Sequence, residues 1–259
     1  MVSVCVRYAS GVFLRQLITD MRFIKIYGLQ RSGTNYLEWL LRNNASELQV
    51  LVDETGWKHG YIPKTTDWTG SDWSSPNMPL HEKAGFAERR RQRLGEAMEK
   101  LVDCIEKNEL LYCFISKNPY SWYVSYARYK HFPISPIKLE LIEHWCSLNH
   151  HWYQFFNKNR ERCCFVRYED FLSNPMETFG SITSHFKLRF SKESFKNCEH
   201  TLSMFAGKPE SQLFDSSYYE TKQYLHYFSL QDLDFFAKQL DQELLSMLDY
   251  ELEPINYKQ

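Results

Sequence analysis

The chain has 259 residues, 43% of them hydrophobic and 16% aromatic, and its 31 Lys and Arg against 32 Asp and Glu leave a formal net charge of −1. That apolar content can build a large packed core and excludes a disordered chain. The balanced charge excludes the broad basic face of a nucleic-acid binder, so any anion site has to be local.

Residues 1–20 carry an apolar run broken by Arg7, Arg15 and Asp20. The run is too short and too interrupted for a membrane span, and it lacks the apolar centre of a signal peptide. Met21 directly precedes the first predicted strand, so residues 1–20 read as a possible N-terminal extension to a domain spanning residues 21–259. Seven cysteines (Cys5, Cys104, Cys113, Cys146, Cys163, Cys164 and Cys198) show no metal-ligand spacing. An odd number, three of them in predicted buried strands, reads as free thiols in a reducing compartment, hence a cytoplasmic location.

Residues 24–41, IKIYGLQRSGTNYLEWLL, predict a strand, a tight loop and a helix start. The apolar run from Phe23 to Tyr27 stops at Gly28, an Arg-bearing polar turn follows, and apolar positions return at Leu37, Leu40 and Leu41. The N–H groups of a helix's first turn then face whatever lies over the loop, and the macrodipole favours an anion there. Gly28 and Gly33 have the glycine gap of a Walker A loop. That loop continues with Lys and then Ser or Thr, where this chain has Thr34 and Asn35. A Mg-nucleotide hydrolase or kinase is therefore disfavoured.

A second strand is predicted at Leu48 to Val52, and its end offers Glu54, Lys58 and His59. The segment from Gly60 to Gly85 is long and irregular, with Trp68 and Trp73 placed either to stack on an acceptor or to anchor the loop. Residues 86–107 predict an amphipathic helix whose Arg89 to Arg93 cluster reads as a solvated face. Leu110 to Ile115 is a short apolar strand, broken by Lys117, Asn118 and Pro119, with Pro119 suited to a helix's first turn. Ser125 follows in that helix. Residues 138–158 form an aromatic helix in which His144, His150 and His151 read as structural. CCFVRYEDFLSNP, residues 163–175, is another strand-to-helix step. Ser229 is placed to cap a C-terminal helix with apolar positions at Leu233, Phe236, Leu240, Leu244 and Leu248. Strands and helices alternate with no linker, repeat or low-complexity stretch between them, so the expected fold is a single α/β domain with a central parallel sheet flanked by helices.

Three of these blocks resemble, in order, the motifs of the sulfotransferases that use 3′-phosphoadenosine 5′-phosphosulfate (PAPS). Arg31-Ser32-Gly33-Thr34 resembles the 5′-phosphosulfate loop. Lys117-Asn118-Pro119 with Ser125 resembles the 3′-phosphate motif, with Lys where Arg is usual. Tyr168-Glu169-Asp170 resembles the segment whose tyrosine contacts adenine. The resemblance covers most of residues 22–252. It implies a P-loop-like nucleotide-binding fold and transfer of a sulfuryl group from PAPS to a hydroxyl acceptor, by default a glycan or small molecule, without a metal. It makes Arg31 the catalytic cation. Ser32, Gly33, Thr34, Asn35 and Tyr36 become donors around the phosphosulfate, Lys117 and Ser125 phosphate ligands, and Tyr168 the adenine neighbour. Lys222 would reach the same phosphate, although the family's Arg-Lys-Gly element is missing. For the base, Lys58-His59 resembles one branch of the family and Glu54 another; His59 is preferred and Glu54 stays open. The Lys117 replacement also leaves open a nucleotide-binding relative that has lost turnover. Oligomeric state is not readable.

Overall fold

The computed structural model describes residues 21–51, 54–63, 95, 97–202 and 209–252. Residues 1–20, Trp68, Trp73 and the Arg89 to Arg93 cluster lie outside that set.

Four strands form one sheet: β1 (Arg22–Tyr27), β2 (Leu48–Leu51), β3 (Leu111–Ser116) and β4 (Cys163–Arg167), in the order β2-β1-β3-β4. All pairings are parallel, with Ile24 opposite both Val50 and Leu111, and Cys113 opposite Cys164. Parallel strands need crossovers, and helices supply them on both faces. The alternation of side chains along each strand sorts them between two apolar layers. Ile24, Ile26, Cys113 and Ile115 pack with α1 (Thr34–Asn44) through Leu37, Leu40 and Leu41. Tyr27 and Phe114 face the other way, into a core containing Trp145 and Trp152 of the long helix Leu139–Lys158. This is the predicted fold: one α/β domain around a central parallel sheet.

Helix α2 (Ala97–Glu106) seals the β2 side through Leu101, packed with Phe23, Leu51 and Leu110. Helix α3 (Pro119–Lys130) starts where the proline predicts it, and Asn118 completes the start by accepting hydrogen bonds from the N–H groups of Tyr120 and Ser121. Ser229 caps a helix as expected, its hydroxyl accepting from the Asp232 N–H while the Asp232 carboxylate accepts from the Ser229 N–H. That helix is not continuous to Leu248. It ends at Gln239, and Asp241 caps a second one, Gln242–Met247, by accepting from the N–H of Leu244 at 3.0 Å. The apolar period carries across the break, so Leu233, Phe236, Leu240, Leu244 and Leu248 are all buried.

The chain leaves β1 towards β2 and leaves β3 towards β4, so the crossovers diverge between β1 and β3. A crevice opens at the carboxyl ends of those two strands, where ligands bind in open α/β sheets. Among the described residues no helix is long and apolar enough to cross a membrane.

Candidate functional site

At that switch point lies a cavity of about 400 Å³. β1 delivers the loop Gly28 to Gly33 to its floor. Gly28 has no room for a side chain: a Cβ there would lie 2.7 Å from the Ile115 carbonyl oxygen and from Ser32 Oγ. The Ser32 hydroxyl is turned inward and donates to the Leu29 carbonyl at 2.7 Å, so it braces the loop rather than lining the cavity. Trp122 Nε1 donates to the Gln30 carbonyl at 2.8 Å. Held in this way, Arg31 adopts a left-handed backbone, φ 71°, and its side chain is exposed over the ring of Tyr129. Gly33 is also left-handed, φ 91°, and caps α1 without a side-chain hydrogen bond. A Cβ on Gly33 would lie 2.3 Å from Tyr168 Cδ2. No acidic residue stands in the first turn of α1, so its positive end is uncompensated at the cavity.

Hydrogen bonds stitch the turn after β2 to β1 and to Gly28 just beyond it. The fully buried Lys25 donates to the Gly56 carbonyl at 2.6 Å, Tyr27 OH to the Thr55 carbonyl at 2.9 Å, and the Gly28 N–H to the Lys58 carbonyl at 3.0 Å. These bonds bring Lys58 and His59 to the cavity wall. Lys58 Nζ donates to Asn35 Oδ1 at 2.7 Å and lies 3.6 Å from Glu38. His59 Nδ1 is 2.6 Å from the Gly28 carbonyl oxygen. A carbonyl can only accept, so Nδ1 carries the proton and Nε2 keeps its lone pair. Burial, with the nearby Lys58 charge adding to it, pushes the imidazole down to about 3. The ring is therefore neutral at physiological pH.

β3 brings Lys117, which is only 2% exposed. Its ammonium lies 4.9 Å from the ring centroid of Tyr168 and 4.6 Å from that of Tyr219, and it donates to Tyr219 OH at 3.1 Å. Trp145 Nε1 holds its carbonyl at 3.0 Å. Ser125, two turns into α3, lines the same cavity. Behind Lys117, the Asn118 N–H donates to Glu169 Oε1 at 2.9 Å and Tyr250 OH to Oε2 at 3.0 Å. Burial raises the Glu169 carboxyl, and the Asn118 N–H opposes that rise.

The cavity thus gathers Arg31, Gly33, Thr34, Asn35, Tyr36, His59, Lys117, Ser125 and Tyr168 from the residues expected at the site. Glu54 and Lys222 are not in its lining: Glu54 is buried in the turn below, and Lys222 starts the short 3₁₀ segment Gln223–Tyr227. Sequence reasoning missed Tyr129, Tyr219, Lys25 and Glu169. Tyr129 had a signal, because it follows Ser125 by one helical turn and so shares its face. Among the described residues no group of three or more His, Cys, Asp or Glu is arranged to hold a metal ion.

The sulfotransferase domain from the curacin biosynthetic pathway superimposes with a TM-score of 0.51 at 16% identity, over 90% of this chain and 99% of that one. The fold is the sulfotransferase fold. A mouse sulfotransferase complexed with PAP matches at a TM-score of 0.48 and 13% identity, covering 92% of this chain and 93% of that one. A retinol dehydratase in complex with retinol and PAP matches at 0.47 and 13%, covering 93% and 88%. No family model matches the sequence, and no curated protein matches it.

Proposed function

We propose that this protein is a sulfotransferase that takes its sulfuryl group from PAPS and passes it to the hydroxyl of a small molecule or glycan, in the cytoplasm. The observation that carries this reading is one cavity lined by two sets of cationic and hydrogen-bonding groups. An exposed Arg31 stands beside the uncompensated N-terminus of α1, and Lys117 follows the end of β3 with Ser125 two turns along α3. Two such sets suit a ligand with two anionic groups at its ends, which is the character of a nucleoside 3′-phosphate 5′-phosphosulfate. The Tyr168 ring packs directly on Gly33, where any larger residue would collide with it, so the loop backbone and the ring line the cavity side by side.

In this reading PAPS supplies the sulfuryl group. Arg31 and the first turn of α1 neutralise charge that builds on the leaving oxygen. Lys58, shared with Asn35, is a second cation on the same side. Lys117 and Ser125 hold the 3′-phosphate, and Tyr168 flanks the base. His59 accepts the acceptor hydroxyl's proton at Nε2, the nitrogen left unprotonated by the Gly28 contact. The bound anion, by offsetting the Lys58 charge that helps lower the imidazole, makes it a stronger base than in the free protein. The Walker Lys and Ser/Thr that hold Mg-ATP have no counterpart after Gly33 in this sequence.

Incubation of the purified chain with sulfur-labelled PAPS and a panel of phenols and saccharides tests the reading. Label should pass to at least one acceptor with wild type and not with Arg31→Ala. Absence of transfer to every acceptor, despite tight nucleotide binding, would make the chain a binding protein instead.

A further inference from the structure

Several surface cations are paired with carboxylates: Arg42 with Glu38, Arg189 with Glu47, Lys192 with Glu177 and Lys238 with Asp234. Arg31, which lines the cavity, and Lys130, which is exposed next to the lining residue Tyr129, are not. Arg31 and Lys130 lie over one ring, that of Tyr129, at 5.6 and 4.7 Å from its centroid. Among the described residues neither has an ion pair. The ring gives each a modest attraction, and the two like charges repel each other. A bound anion would relieve that repulsion.

Tyr129 lines the cavity together with Gln30 and Arg31, one turn beyond Ser125 on α3. Its ring meets Arg31, the cation proposed for the sulfuryl group in transfer, and so stands beside the group that an acceptor has to reach. Arg31 is assigned to the transferring sulfate. Lys130, exposed at the rim, has no such role. The lining also offers little to repel an anion: Glu199 is its single carboxylate among the described residues, on the segment that contributes 197–202 rather than on α3 or the loop.

We propose that Lys130 and the Tyr129 ring form an acceptor subsite for a negatively charged group, so that the preferred acceptor is a hydroxyl compound that also carries a carboxylate or similar anion. The proposal rests on the sulfotransferase reading and names its acceptor class. Because Lys130 is exposed, the preference is modest in size and weakens with salt.

The test is calorimetric titration of the full chain, free and saturated with adenosine 3′,5′-bisphosphate, with 4-hydroxyphenylacetate and its neutral amide at low salt. The acid should bind about three- to tenfold more tightly than the amide. Lys130→Ala should bring the two within about twofold and leave the affinities for amide and bisphosphate unchanged; Lys130→Glu should reverse the order. Equal binding of acid and amide, binding of neither, or a preference that survives Lys130→Ala overturns the subsite. Bisphosphate affinity is read separately, so failure of the nucleotide reading shows as loss of that binding, whatever the acid-to-amide ratio.

Discussion

His59 Nδ1 sits 2.6 Å from the carbonyl oxygen of Gly28, the residue that follows the first strand and begins the loop to α1. One hydrogen bond thus fixes the tautomer of the proposed base and ties it to the loop that carries the proposed catalytic cation. The bond has a counterpart in the Gly28 N–H to Lys58 carbonyl contact, so the two segments are joined in both directions.

His59→Ala should lower turnover by roughly 10²- to 10⁴-fold with little change in bisphosphate affinity, measured by steady-state kinetics beside calorimetry. Glu54→Gln should leave turnover near wild type, since Glu54 is not in the cavity lining. If Glu54→Gln has the larger effect, the base assignment is wrong.

The same histidine makes a pH prediction. Its folded value is about 3 against an ordinary 6.5, so below 6.5 the unfolded chain takes up a proton that the folded chain does not. Its contribution to stability is therefore lost as pH falls from about 6.5 towards 3 and is unaffected above that window. Denaturant titrations of wild type and His59→Gln across pH 4 to 8 should show a shallower acid-side decline in the variant.

Arg31 is exposed and lies at φ 71°, a left-handed conformation that disfavours side chains. Arg31→Ala should cut transfer by about 10²- to 10³-fold while the far-ultraviolet circular dichroism stays that of wild type. Arg31→Gly should lose transfer equally and be at least as stable as Arg31→Ala, because glycine removes the backbone strain. A lower unfolding midpoint for the glycine variant would contradict the strained loop.

The Lys117 ammonium lies against the rings of Tyr168 and Tyr219, which also touch each other. Lys117→Ala should weaken bisphosphate binding by about ten- to a hundredfold and slow the bound complex far less. A KM-against-kcat comparison with PAPS separates the two effects.

Gly33 combines φ 91° with a Cβ position that collides with Tyr168. Gly33→Ala should cost about 3 kcal/mol of stability, read from the urea midpoint, and should displace Tyr168 from the cavity.

The sequence revealed those parts of the site that are local along the chain. Gly28 ends an apolar run, Pro119 and Asn118 open a helix, and Lys117 and Ser125 lie within one strand-to-helix step, so each is visible in a short window. Glu54 and His59 follow the same strand, so a short window supports a preference for His59 but leaves Glu54 open. The contacts that separate them are long-range: Lys25 and Tyr27 reach from β1 to the carbonyls of Gly56 and Thr55 and so set which residues of the turn face the cavity. A lysine inside a strand gives no local sign of that role. Tyr219 was hidden for the same reason, since it meets Lys117 only through the folded C-terminal segment. The break at Leu240 escaped notice because the apolar period continues through it while the Asp241 cap interrupts the backbone.

The most direct measurement is calorimetric titration of the purified protein with adenosine 3′,5′-bisphosphate in the absence of metal, run beside ATP with Mg²⁺. The account predicts tight metal-free binding of the bisphosphate, much weaker binding of ATP, and loss of bisphosphate affinity in Lys117→Ala. Preference for Mg-ATP, or no binding of either nucleotide, would contradict it.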